Sequence, residues 1–154
     1  MSSNLQVGDR IQSRWEIHKI LKGGMGVVYF VYDHEGSAAL AAKTLSHEFA
    51  QANPEAAARF LQEANAWVNL DTHPNIVAAL MVRKISEKPY IFLELATGGD
   101  LGTWIGTPRL TRDTVQVLTF ALQFCDGMLH ALSHGISVHR DVKPKNWVGK
   151  GVNP

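Results

Sequence analysis

Three polar residues near the end of the chain stand at spacings that could do chemistry. In the string HRDVKPKN, Asp141 is followed two positions on by Lys143 and five positions on by Asn146. A carboxylate can accept or orient a proton, an ammonium can neutralise an anion, and an amide oxygen suits a hard cation. A second candidate lies far upstream, in LKGGMGVVY around Gly23, Gly24 and Gly26. Glycines there would let backbone N–H groups approach a ligand closely. Lys43 follows 17 residues after Gly26, and Glu63 lies further on in RFLQEA. Each has a bland reading: a charged surface turn, a hairpin turn, a solvated lysine, a surface glutamate.

Elements must bring these residues together. WEIHKIL (Trp15–Leu21) alternates apolar and polar apart from a slip at Ile20, and GVVYFVYD (Gly26–Asp33) is β-branched and aromatic, so both predict strands. AALAAKTL (Ala38–Leu45) is expected as a third strand despite its alanines. A helix is expected from Asn53 as cap, with Pro54 in its first turn, and Phe60, Ala64, Trp67 and Val68 on one side. Two more strands follow near Ala78–Ile85 and Tyr90–Leu95, joined by SEKP, and ATGGD reads as a linker. After a short helical piece at Leu101–Ile105, the pattern predicts a long helix over Thr111–His134 stopped by Gly135. It carries two apolar stripes, one through Val115, Leu118, Leu122, Cys125, Leu129 and Leu132, the other through Val117, Ala121, Phe124, Met128 and Ala131. Such a helix wants neighbours on two sides, and Cys125 is expected as a core thiol. His130 and His134 at i, i+4 are either a metal pair short of a third ligand or part of the polar face.

HRDVKPKN resembles the catalytic loop of protein kinases, with Lys143 in the Ser/Thr form, and LKGGMGVVY resembles the phosphate-covering loop of bacterial eukaryotic-type Ser/Thr kinases. The resemblance runs from Trp15 to Val148 in the family's order. It implies an α+β, protein-kinase-like fold: an antiparallel sheet lobe with one helix, then an incomplete, mainly helical lobe. Domains are expected at residues 1–14 (extension), 15–95 and 96–154. It also implies roles. Asp141 would accept or orient the proton of the attacking hydroxyl, Lys143 would neutralise the transferring phosphoryl, and Asn146 would ligate Mg2+. Gly23 and Gly26 match the second and third loop glycines, with Gly24 between them, while Leu21 takes the first glycine's place, where a Cβ needs a negative φ. Val28 and Ala41 would pack on adenine. Lys43 would hold the α- and β-phosphates and pair with Glu63. Leu93 would be the gatekeeper, Glu94 and Ala96 would meet the base through their backbones, and Asp100 would bond the ribose or simply cap a helix. His139 and Arg140 would be packing and regulatory rather than catalytic. ATP, Mg2+ and a protein substrate bearing Ser or Thr are the implied ligands, all meeting in one cleft.

Composition agrees with a globular protein: 45% hydrophobic, 19% charged, formal net charge +1, one cysteine. That balance excludes a disordered chain and a disulfide scaffold and predicts no nucleic-acid partner; the single cysteine suits a reducing, cytoplasmic setting. No signal peptide and no unbroken apolar run of bilayer length is read in it. Kinases of this type place Asp-Phe-Gly roughly 13–18 residues after the loop asparagine. Eight residues follow Asn146 here, none an aspartate, so the sequence reads as truncated and inactive alone. Leaving four or five residues of the second stripe without partners would forfeit roughly 10 kcal/mol, so residues 96–154 are expected to be poorly folded, self-associated through the apolar face of that helix, or covered by something else. The alternatives are a pseudokinase-like module that binds nucleotide or a partner without catalysis, and an inactive remnant.

Overall fold

Side-chain alternation builds the first part of the chain. The computed structural model describes residues 5–111, 113–136 and 141–149. Six strands, β1 (Arg10–Ile11), β2 (Trp15–Lys22), β3 (Gly26–Asp33), β4 (Ala38–Leu45), β5 (Ala79–Ile85) and β6 (Lys88–Glu94), form one antiparallel sheet in the order β1-β2-β3-β4-β6-β5. One face of it, with Trp15, Ile17, Tyr29, Val31, Leu40, Ala42, Tyr90 and Phe92, makes the core, joined by Ile11 and Ile85. Burial pushes the Tyr90 phenol up to about 12.

Two irregularities of the sequence find their cause here. The slip at Ile20 is a bulge: the β2–β3 register shifts between Ile17 and Lys19, which turns Ile20 back toward the core. Alanine serves as a strand residue because Ala42, fully buried, sits in register between Tyr29 and Phe92, and its small side chain leaves room for those rings. Arg10 and Ile11, expected in an extension, instead form the edge strand beside β2, with Ile11 buried.

The helix expected from Asn53 starts later, at Ala56, and an additional helix that the pattern did not show precedes Asn53. Ser46 caps α1 (His47–Ala52) by accepting from the Phe49 amide, and Asn53 closes that helix rather than opening the next. Pro54 lacks an N–H and follows that stop, so α2 begins only at Ala56 and runs to Val68. It buries Ala56 and Ala64 and packs on β5 and β6.

The chain divides into two compact units. The first holds Met1–Asn69 and Ala78–Leu95, the second Leu70–Val77 and Ala96–Pro154. In the second, α3 (Leu101–Trp104), α4 (Pro108–Thr111) and α5 (Thr114–Ser133) precede a 3-10 turn at Pro144–Asn146. The long helix starts later than expected because Asp113 caps it, accepting from the Gln116 amide at 3.0 Å. Gly135, at φ +85°, ends it. Leu70–Val77 lies against α5 at Gly127, where a Cβ would come 2.9 Å from the Asn75 carbonyl oxygen. Asn75 also donates from Nδ2 to Asp126.

Two expectations for α5 fail. Val115, Leu118, Leu122, Leu129 and Leu132 are exposed, and so is Cys125 on the same stripe, which is therefore not a core thiol. Burial goes instead to Gly127 and Ala131. By length and composition alone α5 would also reach across a bilayer. Its apolar residues form no unbroken run, because Gln116, Gln123, Asp126 and His130 interrupt the helix at intervals of three to seven.

Candidate active-site elements

In the first unit, strand register gathers a set of predicted residues. Leu21, Val28, Lys43 and Ile91 lie in one cross-strand row. Ala41 and Leu93 lie opposite each other two positions along, so they share that face. The face is opposite to the one that builds the aromatic core. Its floor is apolar and dry, since Ala41, Ile91 and Leu93 are buried, while Lys43 is exposed. Lys19 stands on the same face with its Nζ over the Phe30 ring, and a cation beside an apolar strip can hold an anion whose other end is flat and apolar.

The glycine run closes the β2–β3 hairpin, with the Gly23 amide donating to the Gly26 carbonyl at 2.8 Å. Gly26 is the glycine that sterics demand: a Cβ there would lie 2.6 Å from the Thr44 carbonyl oxygen of the neighbouring strand. Gly23 and Gly24 have room for a Cβ. Leu21 continues the β2 ladder opposite Val28 and is absent from the positive-φ residues, so its side chain costs the backbone nothing. Glu63 lies on α2, exposed and engaged in an interaction. The Glu94 carboxylate accepts from the Ala78 amide at 2.9 Å, so its side chain fastens β6 to the start of β5.

In the second unit the three residues of the late string come together. Asp141 Oδ2 accepts from Lys143 Nζ at 2.8 Å and from Asn146 Nδ2 at 2.7 Å. The same Nδ2 donates to the Asp141 carbonyl at 2.8 Å. The 3-10 turn makes this possible, because Pro144 at its first position bends the chain until Asn146 faces back over Asp141. With the amide nitrogen committed to Asp141, the oxygen is the end of Asn146 suited to a hard cation, so the residue fits a Mg2+ ligand of the oxygen type. Asp100 caps α3, accepting from the Thr103 amide, and pairs through its backbone with Val148. Ala96 belongs to this unit. His139 and Arg140 lie outside the described residues.

His130 stacks on His73 with ring centroids 4.6 Å apart and lies tilted against His134 at 4.3 Å. His73 lies 3.3 Å from Asp126 and His134 3.4 Å from Asp71. Among the described residues no cluster of His, Cys, Asp and Glu could hold a metal.

The protein kinase domain family matches residues 15–150. The chain belongs to the protein kinase family. It is 37% identical over 140 residues to the serine/threonine-protein kinase Pkn1 of Myxococcus xanthus, covering 91% of this chain and 19% of that protein. It is 33% identical over 141 residues to the serine/threonine-protein kinase PrkC of Bacillus subtilis, covering 91% and 21%. Among solved structures, the PknI kinase domain of Mycobacterium tuberculosis superposes with a TM-score of 0.75 at 25% identity, covering 92% of this chain and 56% of that one. The chain thus spans about a fifth of the length of these curated relatives. An antiparallel sheet lobe with helices followed by a partial helical lobe is the kinase fold, as the sequence implied.

The kinase motifs do not account for a further group of aromatic residues in the second unit. Trp104, Phe120, Phe124 and Trp147, the last directly following Asn146, form an aromatic cluster. The i, i+4 spacing of the two phenylalanines on one helix was the available signal.

Proposed function

We propose that this chain carries the nucleotide-binding and catalytic-loop parts of a protein Ser/Thr kinase, which moves the γ-phosphoryl group of ATP to a serine or threonine hydroxyl. The observation that supports it most is the hydrogen-bonded trio Asp141–Lys143–Asn146. Two donors on one carboxylate oxygen hold Asp141 in a single rotamer, ready to orient the attacking hydroxyl and take its proton. Lys143, already beside Asp141, offers its charge to the phosphoryl group in flight. Asn146 would present its amide oxygen to Mg2+, and that ion, when bound, offsets charge on the phosphates. Val28, Ala41 and Leu93 would take the adenine ring on the apolar strip, Gly23 to Gly26 would cover the phosphates, and Lys43 would meet them with Glu63 as its partner. Glu94 and Ala96 would serve the base through backbone groups, and Asp100 would reach the ribose.

The test is transfer of labelled phosphate from ATP to Ser- and Thr-containing peptides by the full-length protein that bears this chain. Asp141→Asn should lower kcat by about a thousandfold, the usual worth of a positioned base. Equal rates for the two proteins would sink the reading. A second reading, a pseudokinase-like module that binds nucleotide without transferring phosphate, is favoured by Leu21, whose side chain projects where the family has a glycine. It predicts that Mg-ATP raises Tm while no label moves, and that Lys43→Met abolishes the Tm shift.

A further inference from the structure

We infer that Trp147 is a positioning residue: its ring, set against Phe120 and Phe124 of α5, fixes the turn that holds Asn146 over Asp141. This rests on the kinase reading for its consequence in catalysis, though not for its structural content. The residue directly follows Asn146 and closes the 3-10 turn, its amide donating to the Pro144 carbonyl at 3.2 Å. Its ring centroid lies 5.4 Å from that of Phe124 and 6.3 Å from that of Phe120, the latter edge-on. Phe120 in turn lies 5.5 Å from Trp104 on α3. Such tilted and edge-on pairs favour one mutual orientation, which a purely aliphatic contact would not impose.

The backbone holds the same place from the other side. The Leu101 amide donates to the Trp147 carbonyl, the Gly98 amide to the Gly149 carbonyl and the Gly149 amide to the Gly99 carbonyl, each at 2.9 Å. With the Asp100–Val148 bridge, these bonds pin residues 147–149 to the strip 98–101. The approach is so close that a Cβ on Gly149 would stand 2.8 Å from the Trp104 ring. The turn is therefore gripped by an aromatic bracket on its side-chain side and a short ladder on its backbone side. Asn146 sits at the end of that grip, and its two bonds to Asp141 carry the position onward. A misplacement of about 1 Å in such a group can cost about a hundredfold in rate.

Trp147→Ala, Trp147→Phe and Phe124→Leu in the full-length protein test this. The first readout is the pair of Asn146 side-chain amide proton resonances, which report its bonds to Asp141 without ligand or turnover. The second is kcat against KM for phosphate transfer. Trp147→Ala should move the Asn146 signals toward those of a solvated amide and lower kcat about a hundredfold with the peptide KM unchanged. Trp147→Phe should restore both, and Phe124→Leu should shift both in the same direction by less. Unmoved Asn146 signals in a folded Trp147→Ala protein overturn the inference whatever the activity. If Trp147→Ala does not fold, unmoved signals in Phe124→Leu overturn it. A parent protein that transfers no phosphate, while its Asn146 signals answer to Trp147 and recover with phenylalanine, removes the kinase reading and leaves the positioning role standing.

Discussion

Arg14 grips Asp33 with two parallel bonds, Nε to Oδ1 at 2.8 Å and Nη2 to Oδ2 at 2.7 Å, where β3 ends. The guanidinium, helped by the Glu35 and Gly36 amides, holds the buried Asp33 carboxyl well below the usual carboxylate range, against the opposing effect of burial. Its native affinity for protons is lower than its unfolded one, so its contribution to stability is complete above about pH 4 and fades as acid is added below that. Asp33→Asn should cost about 2 kcal/mol at pH 7, read as a lower urea midpoint, and the gap from the parent should narrow toward pH 2. Tyr90 sets the opposite limb. Buried, with Tyr29 as a second and weaker cause, it resists ionisation up to about 12. The stability it lends is whole below about pH 10 and is lost as pH climbs through its native value. Tyr90→Phe should flatten the alkaline fall in Tm. Asp33 was not singled out from the sequence, because a salt bridge joining residues 19 apart leaves no periodic trace. Asp141, Lys143 and Asn146 were legible for the opposite reason: five positions of chain suffice to bring them into contact.

Strands and helices show the same division between local and distant causes. β3 stands where β-branching and aromatic residues place it, Gly26–Asp33, and β4 occupies the expected Ala38–Leu45 although its alanines favour a helix. The bulge in β2 was visible as a broken alternation. At the start of α5 a competing cap decided the boundary, while Ser46 opens a helix ahead of Asn53 that the pattern did not show and α2 begins without a side-chain cap. Ser46 and Asp113 each offer an oxygen three residues ahead of an orphan amide, and the Asp113 bond sets the start of α5 at Thr114. Which stripe of α5 meets a neighbour was beyond periodicity, since two stripes competed and Gly127, a gap in both, is where Asn75 approaches. The β5–β6 turn offers a clean prediction. Ser86 and Glu87 both hold positive φ, at 47° and 65°, which side chains other than Asn and Gly adopt reluctantly. The paired substitution Ser86→Asn with Glu87→Gly relieves that strain and should add about 1 kcal/mol, measured as a raised Tm.

Across the whole molecule, the exposed leucines and valines of α5 form the largest demand for burial that the described residues leave unmet. A surface of that kind drives association in water. The 154-residue chain should sediment as a concentration-dependent mixture, and Leu122→Gln with Leu129→Gln should shift it toward monomer. Persistence of the mixture in that variant would place the contact elsewhere. Order of motifs made the family legible from one sequence, because loop, lysine and hairpin must all fall into place along most of the chain; how many neighbours each helix face finds is a property of space and was not.

Leu70–Val77 has a consequence for anyone who would cut the molecule. The segment lies between α2 and β5 in the chain, yet its surroundings are those of α5. A polypeptide ending at Leu95 would keep that segment and lose the helix it rests on, stranding Ile76 and His73 in water. Dissection at the linker is thus clean on paper and ragged in three dimensions.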